Sequence, residues 1–93
     1  MHDIEYRRSA LKEIKRLDKQ IRKEMVCQIE SCAKKPYEGK SLKGDLSGYL
    51  SYDFTFKSVG YRIIYTINKI TKSITIEMVG TRENIYNNFK QKL

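Results

Sequence analysis

Three side chains with chemistry to offer stand in otherwise apolar text: Arg62, Arg82 and Tyr86. Arg62 sits inside Gly-Tyr-Arg-Ile-Ile-Tyr, residues 60–65. The other two close the stretch Val-Gly-Thr-Arg-Glu-Asn-Ile-Tyr, residues 79–86. A guanidinium is a planar fork that grips phosphate oxygens and stays charged at any working pH. The set reads as a phosphate-handling site on the open face of a small sheet. Two carboxylates, Asp53 and Glu83, lie close to the arginines in the sequence.

Strands must position these groups. Side chains alternate between the faces of an extended strand. From Tyr61 to Ile67 one face takes Tyr61, Ile63, Tyr65 and Ile67, and the other takes Arg62, Ile64 and Thr66. The first face is the more apolar, so it covers the core and Arg62 points away from it. Tyr52, Phe54 and Phe56 form a second apolar stripe, against Asp53, Thr55 and Lys57. Ile74, Ile76 and Met78 form a third, against Thr75, Glu77 and Val79. Three such stripes predict an antiparallel meander packed on one side only. Ser58-Val59-Gly60 and residues 68–72 are the expected hairpin loops; the second lacks an Asn-Gly or Asp-Gly signal.

The first half of the chain supplies the cover. Residues 2–7 read as a strand with Ile4 and Tyr6 on one face. Ser9 is the expected N-cap of a helix carrying Leu11, Ile14 and Leu17. Asp18 is the expected cap of a second, with Ile21, Met25, Ile29 and Cys32 on one side. The two make a helical hairpin whose apolar side packs on the Ile63/Tyr65 face of the sheet. Pro36 and Gly39 end the helical text. Lys40 to Gly48 reads as a connector with an RNA contact at Lys43; it lacks the spacing of a P-loop. Glu83 to Leu93 reads as a short helix, with Ile85, Phe89 and Leu93 roughly on one side, so packing competes with chemistry for Tyr86.

Composition bounds what such a site can serve. The 93 residues fit one domain, 1–93, with a single modest core. Lys and Arg number 19 against 11 Asp and Glu, a formal charge of +8, which favours nucleic acid, ribosome or an acidic protein as partner. The lysines and arginines between Lys12 and Lys23 read mainly as solvated helix faces. No apolar run approaches a membrane span, and the first residues lack the apolar core of a signal peptide, so a cytoplasmic protein is expected. Cys27 and Cys32 fall about 140° apart on a helical wheel, which suits neither a mutual disulfide nor a metal site. No metal or cofactor is expected. The sole histidine, His2, reads as part of an N-terminal tail.

Strand, helical hairpin, three-stranded meander and short helix, together with Leu42-Lys43-Gly44, Gly60–Tyr65 and Val79–Tyr86, resemble the RelE/ParE toxin superfamily, and the RelE branch more closely. The resemblance spans nearly the whole chain and implies an α+β fold of order β-α-α-β-β-β-α. It implies the toxin of a type II toxin–antitoxin pair, with a cognate antitoxin as partner. For the RelE branch it implies metal-free cleavage of mRNA on the ribosome, by attack of a ribose 2′-hydroxyl on the adjacent phosphate. Arg62 then matches an arginine that binds phosphate and stabilises the transition state. Arg82 matches one that serves the phosphate or leaving group, and Tyr86 a tyrosine that stacks on a base or shares in proton transfer. A phenol with a pKa near 10 is a poor base unless cations lower it, so Asp53 and Glu83 stay open as proton acceptors. Lys43 and Lys57 are the expected RNA contacts. The resemblance departs where RelE carries lysines, at Asp53 and Thr55, and where many relatives carry a histidine, at Ile85. The alternatives are a ParE-like inhibitor that binds DNA gyrase without chemistry, and a non-toxic basic binding module.

Overall fold

The computed structural model describes residues 1–85 and 87. Along the chain run β1 (Asp3–Tyr6), α1 (Arg8–Arg16), α2 (Lys19–Lys34), β2 (Lys40–Ser41), β3 (Leu50–Phe56), β4 (Val59–Asn68) and β5 (Ser73–Thr81). Short 3-10 turns occupy Pro36–Glu38 and Gly44–Leu46. The strands form one sheet in the order β1-β5-β4-β3-β2. The meander β3-β4-β5 is antiparallel as expected, whereas β1 joins β5 in parallel and makes the sheet mixed. The fold class is α+β, as read. Of the stretch expected as a C-terminal helix, Glu83 and Asn84 form a turn and Ile85 and Asn87 are helical, while Tyr86 and residues 88–93 lie outside the described residues.

The main core lies between the helical hairpin and one face of the sheet. Ile63, Tyr65, Ile74, Ile76 and Val79 meet Ala10, Ile14, Met25, Ile29, Cys32 and Ala33 there. Each large apolar side chain buried in this layer contributes about 1.5–3 kcal/mol. The α2 face is the one its spacing predicts. In α1 the buried positions are Ala10 and Ile14 with Leu17 beside them, and Leu11 turns to solvent. Ser9 is not the cap. The cap is Arg7, two residues earlier, because Arg7 still donates its backbone N–H to Ile76 O of the β1–β5 ladder and its carbonyl already accepts from Leu11 N. Asp18 does stand at the N-cap of α2, without a side-chain cap bond. Cys32 is buried, and desolvation pushes its thiol up to about 11; Cys27 is exposed. Both are free thiols.

Strand β5 departs from simple alternation. Ile64 pairs with Met78, but the next residue, Tyr65, pairs with Ile76. Glu77 is therefore the extra residue of a bulge. Past it the faces exchange: Val79 enters the main core, and Met78 turns to the other side. That second side is not bare. Leu46, Ile64, Met78 and Ile85 form a smaller buried cluster there, flanked by Leu42 and Tyr49. The segment read as a connector thus covers part of the second face, because Ile64 and Met78 leave apolar surface that must be shielded.

The β3–β4 connection is tighter than the sequence suggests. Val59 and Gly60 belong to β4, paired with Phe56 and Thr55, and the turn consists of Lys57 and Ser58 alone. Both have positive φ, 49° and 68°. This left-handed pair suits the right-handed twist of a hairpin but costs a residue with a Cβ about 1 kcal/mol. Ser58→Gly is expected to stabilise the fold by about 0.5–1 kcal/mol, read as a higher urea midpoint at unchanged slope. A lower midpoint would show that this turn is not strained.

Candidate functional site

Asp53 and Arg62 face one another across β3 and β4, on the face turned away from the helices. Their side chains form a two-pronged ion pair. Arg62 Nε donates to Asp53 Oδ1 at 2.7 Å and Nη2 to Oδ2 at 2.8 Å. The Arg62 side chain is 12% exposed and that of Asp53 33%, so the rim of the pair faces solvent. Ser51, buried two residues back on the same face, donates its hydroxyl to Asp53 Oδ1 at 2.7 Å. The Arg62 hydrogen bond holds the Asp53 carboxyl below the usual carboxylate range; burial opposes it, and Ser51 and the field of Arg82 add to the lowering. Asp53 is thereby a weak base and a firm anchor.

Arg82 reaches the same face from the far end of β5. Its backbone N–H donates to Gly60 O at 3.0 Å, carrying the β4–β5 ladder one residue past Thr81. Asn84 N then donates to Thr81 O at 3.2 Å, a tight turn that swings the chain back over the sheet. Ile85 seals the turn by packing above Gly80. The Arg82 side chain lies across Gly60 and gives an N–H to the Thr55 hydroxyl at 3.1 Å. Thr55 is two residues from Asp53 on β3 and so shares its face. Two guanidinium groups distant in sequence are thus brought to one side of the sheet, Arg62 paired with a carboxylate and Arg82 held by a neutral hydroxyl. Ser58, Val59, Gly60, Thr81, Arg82 and Glu83 line a shallow cleft of about 450 Å³ beside them.

The remaining residues singled out by the sequence are scattered. Glu83 is exposed on the wall of that cleft, next to Arg82. Lys57 sits at the hairpin tip, donates to Gln20 of α2 and lies over the Phe56 ring, which turns it toward the helical side. Lys43 is exposed at the head of the second 3-10 turn. Ser51, Thr55 and Gly60 were missed by sequence reasoning. The alternation that places Asp53 on this face also places Ser51 and Thr55 there, and was a usable signal for both; Gly60 passed for a loop residue. Among the described residues no group of three or more His, Cys, Asp or Glu side chains gathers as metal ligands would. No described helix is long and apolar enough to cross a membrane.

Solved structures share this architecture. The isolated RelE toxin of Escherichia coli superposes with a TM-score of 0.69 at 19% identity, covering 100% of both chains. A chain of the RelBE2 toxin–antitoxin complex of Mycobacterium tuberculosis reaches 0.74 at 22% identity, over 87% of this chain and 98% of that one. At such identities the likeness is one of fold. In sequence, a RelE-like toxin protein of Escherichia coli is 27% identical over 89 residues, which is 92% of this chain and 90% of that protein. The family model described as the ParE-like toxin of type II bacterial toxin–antitoxin systems matches residues 4–90. That match spans the sheet, both helices and both arginines, and the chain belongs to this family of toxins.

Proposed function

We propose that this toxin is an mRNA endonuclease of the RelE kind, acting on the ribosome in the cytoplasm and restrained by a cognate antitoxin. The observation that carries the reading is the convergence of Arg62 and Arg82 on one sheet face, with Asp53 and Thr55 holding them. In the reaction a ribose 2′-oxygen loses its proton and bonds to the adjacent phosphorus. The bond from phosphorus to the 5′-oxygen breaks, leaving a cyclic 2′,3′-phosphate and, after protonation, a 5′-hydroxyl. Negative charge accumulates on the phosphate oxygens at the crowded midpoint, and fixed cations lower that barrier. Arg82, exposed and bonded to a neutral hydroxyl, meets the phosphate first. Arg62, steadied by Asp53, supports the oxygens beneath. In this reading Glu83, on the cleft wall, accepts the 2′ proton, with Tyr86 as the stacking or proton-sharing group and Lys43 and Lys57 as outlying RNA contacts. An antitoxin fits the reading because the RelBE neighbours are toxin–antitoxin complexes.

The test is primer extension on a reporter transcript after induction in a bacterial host. Arg82→Ala is expected to weaken cleavage about 100-fold, the scale on which one transition-state donor acts, while the far-UV spectrum and melting curve stay as they are. Full cleavage by the variant would remove Arg82 from the reaction. The match to a ParE-like family model favours one further reading, inhibition of DNA gyrase by binding. Loss of supercoiling with purified toxin, alongside intact transcripts, would select it.

A further inference from the structure

We infer that Gly60 is a positioning residue: its missing side chain is the seat on which the Arg82 guanidinium rests, with Thr55 as the clasp. A Cβ built on Gly60 would overlap Nε, Nη2 and Cζ of Arg82. Gly60 lies outside the left-handed region; among the described glycines only Gly44 and Gly48 have positive φ. Backbone conformation therefore does not require glycine here, and a strand position would ordinarily favour a residue with a side chain. What position 60 needs is room. The Gly60 carbonyl also accepts the Arg82 backbone N–H at 3.0 Å, so the same residue fixes where the arginine leaves the ladder and where its side chain lies. Thr55, cross-strand partner of Gly60, completes the seat with its hydroxyl. The obstruction in Gly60→Ala is the far end of a flexible side chain, so the sheet survives the change and only the guanidinium must leave.

The functional half of this inference rests on the reading of Arg82 as a phosphate ligand, and the test separates the two. In the 93-residue chain, the Arg82 Nε–Hε signal in ¹⁵N NMR is expected to be motionally restricted and distinct from that of a free arginine side chain. In Gly60→Ala it should become mobile and shift, with Thr55→Val giving the same change to a smaller degree. An unmoved signal in both variants overturns the seat, whatever happens to activity. For cleavage, Gly60→Ala is expected to lower kcat about 10-fold to 100-fold, with KM changing less. In an Arg82→Ala background it should change kcat by less than about twofold, because nothing remains to displace. Additive losses in the two backgrounds would make Gly60 a structural residue and overturn the inference. A moved NMR signal with cleavage unchanged in both Gly60→Ala and Arg82→Ala upholds the seat and overturns the catalytic reading instead.

Discussion

Gly39→Ala is expected to destabilise the fold by about 3 kcal/mol, lowering the melting temperature by on the order of 15 °C for a domain this small. Gly39 follows the first 3-10 turn and packs against the phenol of Tyr65. A Cβ there would overlap Tyr65 Oη, lie 2.9 Å from Cζ and 3.2 Å from the Ser51 backbone oxygen. Arg82 can swing away from Gly60, but Tyr65 has nowhere to go. It is fully buried, in the middle of the sheet, and its hydroxyl donates to Pro36 O at 2.5 Å. Burial, with the neighbouring Cys32, raises its pKa, so the phenol stays protonated and remains a donor. Moving it breaks that bond and leaves a buried carbonyl without its partner, a further cost of about 1 kcal/mol or more. Two companions make the measurement decisive. Tyr65→Phe removes the atom in the way, so the double variant should be less destabilised than the two singles together. Gly44→Ala meets open space and bears only the cost of its φ of +66°, about 1 kcal/mol. If Gly39→Ala melted no lower than Gly44→Ala, the Tyr65 phenol would not be what confines position 39 to glycine.

The same residues show what the sequence can disclose. Tyr61, Ile63, Tyr65 and Ile67 alternate with Arg62, Ile64 and Thr66, and this local pattern places Arg62 away from the helices. The helical spacing of α2 is equally local and equally readable. The bulge at Glu77 is not, because an inserted residue leaves the text of β5 looking evenly alternating while exchanging the faces of Met78 and Val79. The cover over Ile64 was hidden for a different reason. Leu42, Leu46 and Tyr49 are spaced by no regular element and gain meaning only when the chain folds back on the sheet. The site divides along the same line. Arg62, Asp53 and Arg82 declare themselves by charge in apolar surroundings, whereas Gly60 contributes by lacking atoms and leaves only its name in the text. The placement of Lys57 depended on a two-residue turn with positive φ at both positions, formed without the Asn-Gly text that announces one.

Replacing Arg62 with alanine is expected to reduce transcript cleavage about 100-fold or more, and replacing Asp53 with alanine about 10-fold, with the double variant no worse than Arg62→Ala alone. The two-pronged pair is the physical reason. Asp53 accepts both prongs of Arg62 and the Ser51 hydroxyl, so most of its acceptor capacity is engaged and its pKa is lowered. A carboxylate so placed orients its arginine and has little affinity left for a substrate proton. Without it, Arg62 keeps its charge and loses its direction, and one negative charge leaves the site. RNA should then bind more tightly at low salt while reacting more slowly, lowering KM and kcat together. A base would behave otherwise: its loss would add to the loss of Arg62 and remove an acid limb from the pH–rate profile. Stability supplies an independent check with a fixed sign. Because the folded-state pKa of Asp53 lies below its unfolded value of about 3.9, the pair stabilises the fold above that value. This contribution disappears as pH falls through the folded pKa. Since the rim of the pair faces water, its worth is about 1 kcal/mol or less. Wild type should therefore exceed Asp53→Asn in stability at neutral pH and converge with it in acid. Parallel stability curves down to the acid limit, or additive losses of cleavage, would give Asp53 another role and leave Arg62 without its anchor.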